Sequence, residues 1–263
     1  MNAQTRVRIA VHKFSSCDGC QLAFINNINA VLELSPWIDI IHFAEAGPCE
    51  PEADVDIAFV EGSISTPHDV ERIQSVRQHC GFLVSIGACA TAGGLQALRN
   101  MASHDAWRSA VYASPQYIHS LDTSTPIAEH VKVDHEIWGC PVNAQQVLQA
   151  IQAWLLGGQP EPVYDSVCSE CKQHNNTCVM VSQQRHCMGP VTRAGCGALC
   201  PGFHRECYGC FGPSDLTNVD ALAQQFVDNG LSHKDVAHRF LNINSHSQAF
   251  NQVGVRYRDS DEQ

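Results

Sequence analysis

The sequence predicts an α/β protein in two parts: a parallel sheet flanked by helices, then a small irregular domain. Three observations carry this reading. Strand-like and helix-like apolar patterns alternate through the first half. After residue 162 the patterns fade and Cys, Gly, His and Asn crowd together. Twelve of the 14 cysteines fall into three sets of four. Cys17, Cys20, Cys89 and Cys140 are spread over the first half; Cys168, Cys171, Cys178 and Cys187, then Cys196, Cys200, Cys207 and Cys210, crowd the second.

The elements follow in order. VRIAVHKF (7–14) reads as a buried strand, and LAFINNINAVLEL (22–34) as a helix stopped by Pro36. WIDIIHF (37–43) is a second strand and VDIAFVEG (55–62) a third, with Gly47 and Pro48 turning the chain between them. DVERIQSVRQHC (69–80) has amphipathic helical spacing with Asp69 as its cap. GFLVSIGAC (81–89) is a fourth strand ending on Cys89, and TAGGLQALRNM (91–101) a weaker helix. HVKVDHEIWGCP (130–141) contains a fifth strand, and NAQQVLQAIQAWLL (143–156) a helix capped by Asn143.

This alternation over residues 1–156 predicts a flavodoxin-like parallel sheet. GGQPEP (157–162) reads as a linker. Residues 163–213 have too few apolar runs for an ordinary core, and the expectation is a domain held by its metals. Residues 214–263 read as a helical tail with one amphipathic pattern, VDALAQQFVDNG (219–230), and a polar end that frays.

Composition narrows the partners. A hydrophobic share of 44% suffices for a core, and a net charge of -11 argues against nucleic acid. The opening MNAQTRVRIAVHKF has no apolar signal region and no twin arginine, and no run approaches the roughly 18 apolar residues of a membrane span. The expectation is a cytoplasmic protein with no membrane span, where thiols stay reduced and serve metals or catalysis rather than disulfides.

On the strand pattern, Cys17, Cys20, Cys89 and Cys140 all lie at carboxyl ends of strands, as do Glu61 and Gly62. In an open parallel sheet those ends form one edge with a crevice where strand order reverses. Four thiolates meeting there suit one cubane cluster. C-D-G-C (17–20) alone also fits a thioredoxin-like pair or a zinc knuckle. The second half reads C-x2-C-x6-C-x8-C and then C-x3-C-x6-C-x2-C, which two zinc sites would also satisfy. A zinc-stabilised binding module is therefore the alternative from a different class.

Taken together, CDGCQ (17–21), VEGSI (60–64), GACATAGG (87–94), GCP (139–141) and CMGPVTRAGC (187–196), leading through Cys200 into CYGCFGP (207–213), resemble the small subunit of nickel–iron hydrogenases over about four-fifths of the chain. The related cluster subunit of complex I, a quinone-linked alternative, has adjacent cysteines where two residues separate Cys17 and Cys20 here. The resemblance implies three 4Fe–4S clusters. Cys17, Cys20, Cys89 and Cys140 look like the proximal ligands, Cys168, Cys171, Cys178 and Cys187 the distal set, and Cys196, Cys200, Cys207 and Cys210 the medial set. Cys168 stands where the membrane-bound uptake type has histidine, and Cys200 offers a fourth medial thiol. Both departures resemble the cytosolic, NADP-linked bidirectional branch, sulfhydrogenase delta subunits included.

Such a chain passes electrons; the nickel–iron site is expected in a large subunit. A flavin that exchanges hydride with NAD(P) is expected in further iron–sulfur reductase subunits. Glu61 is expected near the proximal cluster and the subunit interface, with simple binding of backbone N–H groups as its plainer role. Asp18 reads as turn chemistry and Cys49 and Cys80 as inert thiols. One of His174, His186 or His204 is the reserve ligand should Cys178 not serve.

Overall fold

Strand–helix alternation in the first half builds one five-stranded parallel sheet. The computed structural model describes residues 6–43, 45 and 47–260, the side chain of Ile28 excepted. The chain divides into two units, residues 1–160 and 161–263. The strands are β1 (Val7–Lys13), β2 (Ile38–Phe43), β3 (Val55–Glu61), β4 (Cys80–Ile86) and β5 (His135–Ile137), in the order β2-β1-β3-β4-β5. All pairings are parallel, with Ile9 opposite Ile57 and Phe59 opposite Val84. This is the doubly wound order whose reversal lies between β1 and β3.

Both sheet faces are buried, so the strands are apolar almost throughout rather than alternating. On one face Ile9, Val11, Phe59 and Val84 pack against Phe24, Leu34 and Leu148. These come from α1 (Gly19–Asn26), the segment after α2 (Ile28–Glu33), and α6 (Ala144–Leu155). On the other, Ala10, Val60 and Leu83 pack against Ile73 and Val76 of α3 (Pro67–Gln78). Phe59 is fully buried and edge-on to Phe24 at 5.7 Å, a position where truncation to alanine costs about 3–5 kcal/mol.

Several expectations need correction. The helix expected over 22–34 is two, broken at Asn27, whose backbone leaves the helical region and whose amide nitrogen donates to Ala23 O. Asp69 is not the cap of α3. Thr66 is, with Pro67 in the first turn, and the Asp69 carboxylate reaches back to the Thr66 N–H at 3.0 Å. β4 ends at Ile86, and Cys89 belongs to α4 (Gly87–Ala92), started by Gly87 at φ +83°. The weak helix at 91–101 is a 3-10 run, Gly94–Met101, separated from α4 by left-handed Gly93. An extra helix, α5 (His104–Val111), lies in a stretch to which the sequence assigned no element.

The second unit has no strand among the described residues. Its helices are α7 (Val167–Gln173), α8 (Val179–Gln183), α9 (Leu199–Gly202), α10 (Val219–Asp228), α11 (His233–Phe240) and α12 (Gln248–Ser260). The helical tail, expected to hold one helix, holds three among the described residues, and they complete an apolar core. Phe226, Phe240 and Phe250 pack with Val167, Met188, Cys187 and Cys207 in one cluster. Residues 163–213 thus do have a core, supplied from downstream. α12 was hidden in sequence because its buried face holds only Phe250, Val253 and Gly254 among polar neighbours. Gly254 is there for closeness: a side-chain carbon would collide with Leu241, just past α11. Among the described residues no helix is long and apolar enough to cross a membrane.

Candidate metal centres

In the first unit the loops after β1, β3, β4 and β5 meet at the carboxyl edge of the sheet. Phe14 N–H donates to Glu61 O at 2.8 Å, and Ala88 N–H to Gly139 O at 2.7 Å. A side-chain carbon on Gly87 would strike Cys20 Sγ, one on Gly94 would come within 2.5 Å of Cys89 Sγ, and one on Gly19 within 3.3 Å of Cys17 Sγ. The glycines leave room round three of the four sulfurs, a cradle that side chains would fill. Cys140 follows β5 and leads directly into Pro141.

The four thiols feel one another. Burial pushes the Cys89 thiol up to about 12, helped by Cys140, Cys17 and Glu61. Burial also raises Cys20, with Glu61, Cys89 and Cys140 adding to it. Cys140 rises through burial, Cys17 and Glu61. Without a guest, Cys20, Cys89 and Cys140 therefore keep their protons at neutral pH, and a strongly cationic guest is what takes up their thiolates.

Glu61, 1% exposed, accepts the N–H groups of Cys20 and Gln21, each at 3.1 Å. These are free donors in the first turn of α1, whose own cap residue, Asp18, is left-handed and makes no capping bond. Burial raises the Glu61 carboxyl while the two N–H groups and the Gln21 side chain oppose it. Glu61 caps α1 from another strand and so fixes Cys20. Asp18 pairs with Lys13 at 2.7 Å, as turn chemistry.

In the second unit Cys168 and Cys171 ride on α7, Cys178 precedes α8 and Cys187 precedes a 3-10 turn at Gly189–Val191. Burial lifts the Cys171 thiol to about 11, with Cys168, Cys187 and Cys178 adding and Asn176 opposing. Cys178 likewise acts on Cys168 and Cys187, which favours it over the reserve histidines. His174 Nδ1 bonds Gly197 O at 3.1 Å and the His186 ring stands edge-on to Phe226.

The last four cysteines form two pairs. Cys196 feels Cys200 on α9, and Cys207 feels Cys210. Cys207 N–H also donates to Cys187 Sγ at 3.1 Å, and Gly189 N–H to the same sulfur at 3.4 Å, so the two sets are joined by one backbone amide. N–H donors aimed at sulfur are what a cluster ligand needs for tuning.

A four-thiolate zinc ion needs its sulfurs about 2.3 Å from one point. Among the described residues no group of three or more Cys, His, Asp or Glu is placed to hold a single metal ion. Of the two extra cysteines, Cys49 is exposed and Cys80 is buried beside Arg77. Sequence reasoning missed Glu170, which bonds the loop of Cys196; its only signal is the pair of glycines flanking that cysteine.

Comparison with known proteins agrees with this arrangement. The family model described as NADH ubiquinone oxidoreductase, 20 Kd subunit, matches residues 17–154. The sulfhydrogenase 2 subunit delta of Pyrococcus furiosus is 32% identical over 82% of this chain and 90% of its own. A subunit of the vhu F420-non-reducing hydrogenase of Methanocaldococcus jannaschii is 29% identical over 80% of this chain and 83% of its own. A crystal structure of an NAD+-reducing [NiFe]-hydrogenase in the H2-reduced state superposes with a TM-score of 0.56 at 26% identity, covering 61% of this chain and 97% of that one. That chain is used almost whole and leaves two-fifths of the present one unmatched. The chain belongs to the family of nickel–iron hydrogenase small subunits, and its role is electron transfer within a multi-subunit hydrogenase.

Proposed function

We propose that this chain carries electrons, one at a time, between a nickel–iron site in its large subunit and an acceptor module, through three 4Fe–4S clusters. Cys17, Cys20, Cys89 and Cys140 hold the proximal cluster, Cys196, Cys200, Cys207 and Cys210 the medial, and Cys168, Cys171, Cys178 and Cys187 the distal. The observation that carries the reading is the convergence of four cysteines on one glycine-lined sheet edge, where burial raises the thiols of Cys20, Cys89 and Cys140, with eight more cysteines in the second unit. When bound, the clusters supply one-electron carriers. The residues do the rest. Glu61 holds Cys20 through α1, Gly87 and Gly94 admit the sulfurs closely, and buried side chains exclude water.

The acceptor module is a set of iron–sulfur and flavin subunits exchanging hydride with NAD(P), in the cytoplasm. Support comes from the likeness to an NAD+-reducing hydrogenase and a sulfhydrogenase subunit. An acceptor other than NAD(P) is the second reading, since a relative is named for a hydrogenase only as F420-non-reducing, and the same experiment reads it out.

The test is the complex purified without oxygen. About twelve irons and as many acid-labile sulfides in this chain, with nickel in a companion, support the wire; zinc without sulfide sinks it. In Cys17→Ala, hydrogen turnover is lost while dye reduction by NADPH at the flavin end survives. Loss of both activities contradicts the proximal position. Hydrogen-driven dye reduction without NAD(P) reduction in the parent complex supports the second reading.

A further inference from the structure

Glu170 lies on α7 between Cys168 and Cys171, yet its carboxylate serves the other set. Oε1 accepts the N–H groups of Gly195 at 2.8 Å and Gly197 at 3.1 Å. Oε2 accepts Ala198 N–H at 3.0 Å and lies 3.8 Å from Cys196 Sγ. The loop is unusual in itself. Gly195, Gly197 and Ala198 all have positive φ, at 132°, 66° and 50°. Successive N–H groups in such a loop make a concave anion nest. Ala198 has a side-chain carbon in a left-handed conformation, which persists only where the surroundings hold it. Here the chain fills its own nest, and the guest is a carboxylate anchored between two cysteines of the neighbouring set.

The contact has an electrostatic side. Once Cys196 gives up its proton to a metal, the sulfur carries negative charge beside the Glu170 carboxylate. Negative charge close to a cluster ligand disfavours adding a further electron, and local charge is one of the settings of cluster potential. We infer that Glu170 is a positioning residue that holds the Gly195–Ala198 loop, and with it Cys196, and lowers the electron affinity of the cluster bound by Cys196, Cys200, Cys207 and Cys210. The inference rests on the three-cluster reading above. A carboxylate on the distal ligand helix thereby adjusts the medial step without ligating anything.

The test uses the purified complex and a redox titration followed by electron paramagnetic resonance. In Glu170→Gln the shape is kept and the charge removed. Among the reduced-cluster signals of the complex, one then titrates at higher potential, the others stay in place, and iron and sulfide remain at parental levels. Full iron with every potential unchanged overturns the inference. Should Glu170→Gln instead lose about a third of its iron, Glu170→Asp decides. Iron retained in Asp supports anchoring by the carboxylate, and equal loss in both variants overturns it. A parental complex without acid-labile sulfide fails the three-cluster reading itself, before any variant is compared.

Discussion

The two units hold their cysteines by opposite means. In the first, two apolar cores lie on either face of a sheet, and of the four cysteines at its edge only Cys20 enters a core. In the second, Cys187 and Cys207 are themselves core residues, with Cys171 and Cys196 packed against them. The first unit is a scaffold on which a site is mounted. The second has a core that is partly made of its own site. Both units use a carboxylate from a neighbouring element: Glu61 on β3 braces the loop of Cys20, and Glu170, on the helix of Cys168 and Cys171, braces the loop of Cys196.

The largest effect that separates the two is removal of iron. Bound metal contributes folding energy on the order of 10 kcal/mol in sites that are part of the fold. After chelation, amides of residues 161–213 should lose hydrogen-exchange protection while those of β1, β3 and β4 stay slow. Equal loss in both would break the comparison. A smaller, local effect is expected at Gly87, whose φ of +83° and closeness to Cys20 Sγ leave no place for a methyl group. Gly87→Ala should cost this chain about a third of its iron and the complex its hydrogen turnover, with the far-ultraviolet circular dichroism unchanged. Full iron in this variant would mean that the edge is more pliable than its backbone contacts indicate.

The smallest effect concerns acid. His12 on β1 is buried and stacks on His42 at 4.6 Å. Burial, then the charges of His42 and Arg72, push its imidazole down to about 3. The unfolded imidazole protonates near pH 6.5, so between roughly pH 6.5 and 3 the unfolded chain binds the extra proton. Stability should therefore fall as pH drops through that window and be independent of this group above it. Burial and Arg72 lower His42 as well, which adds in the same direction. Denaturant melts across the window should show a shallower decline for His12→Leu, confined to the transition of the first unit.

Much of the first unit could be read from sequence because a parallel sheet leaves long apolar runs such as VRIAV and VDIAFV, and α3 and α6 carry buried stripes. What could not be read was set by single residues. Asn27 breaks a helix whose apolar spacing runs straight through it, and Thr66 rather than Asp69 caps α3 because the reciprocal bond needs both. α12 hides its few core residues among polar ones. The twelve cysteines stand out by spacing, and the structure gathers the first four, gathers the next four, and pairs the last four. Glu61 and Glu170 act on amides far away in sequence, and no local pattern announces such a bond.

The placement of Cys17 and Cys140 far apart along the first unit has a consequence in time. Their loops follow β1 and β5, the second and last positions across a sheet ordered β2-β1-β3-β4-β5. A ribosome releases Cys17 long before Cys140, and sheets with such distant pairings are slow to close. Until β5 docks, the edge has three of its four sulfurs, so a group that needs all four thiols finds them together only in the finished sheet.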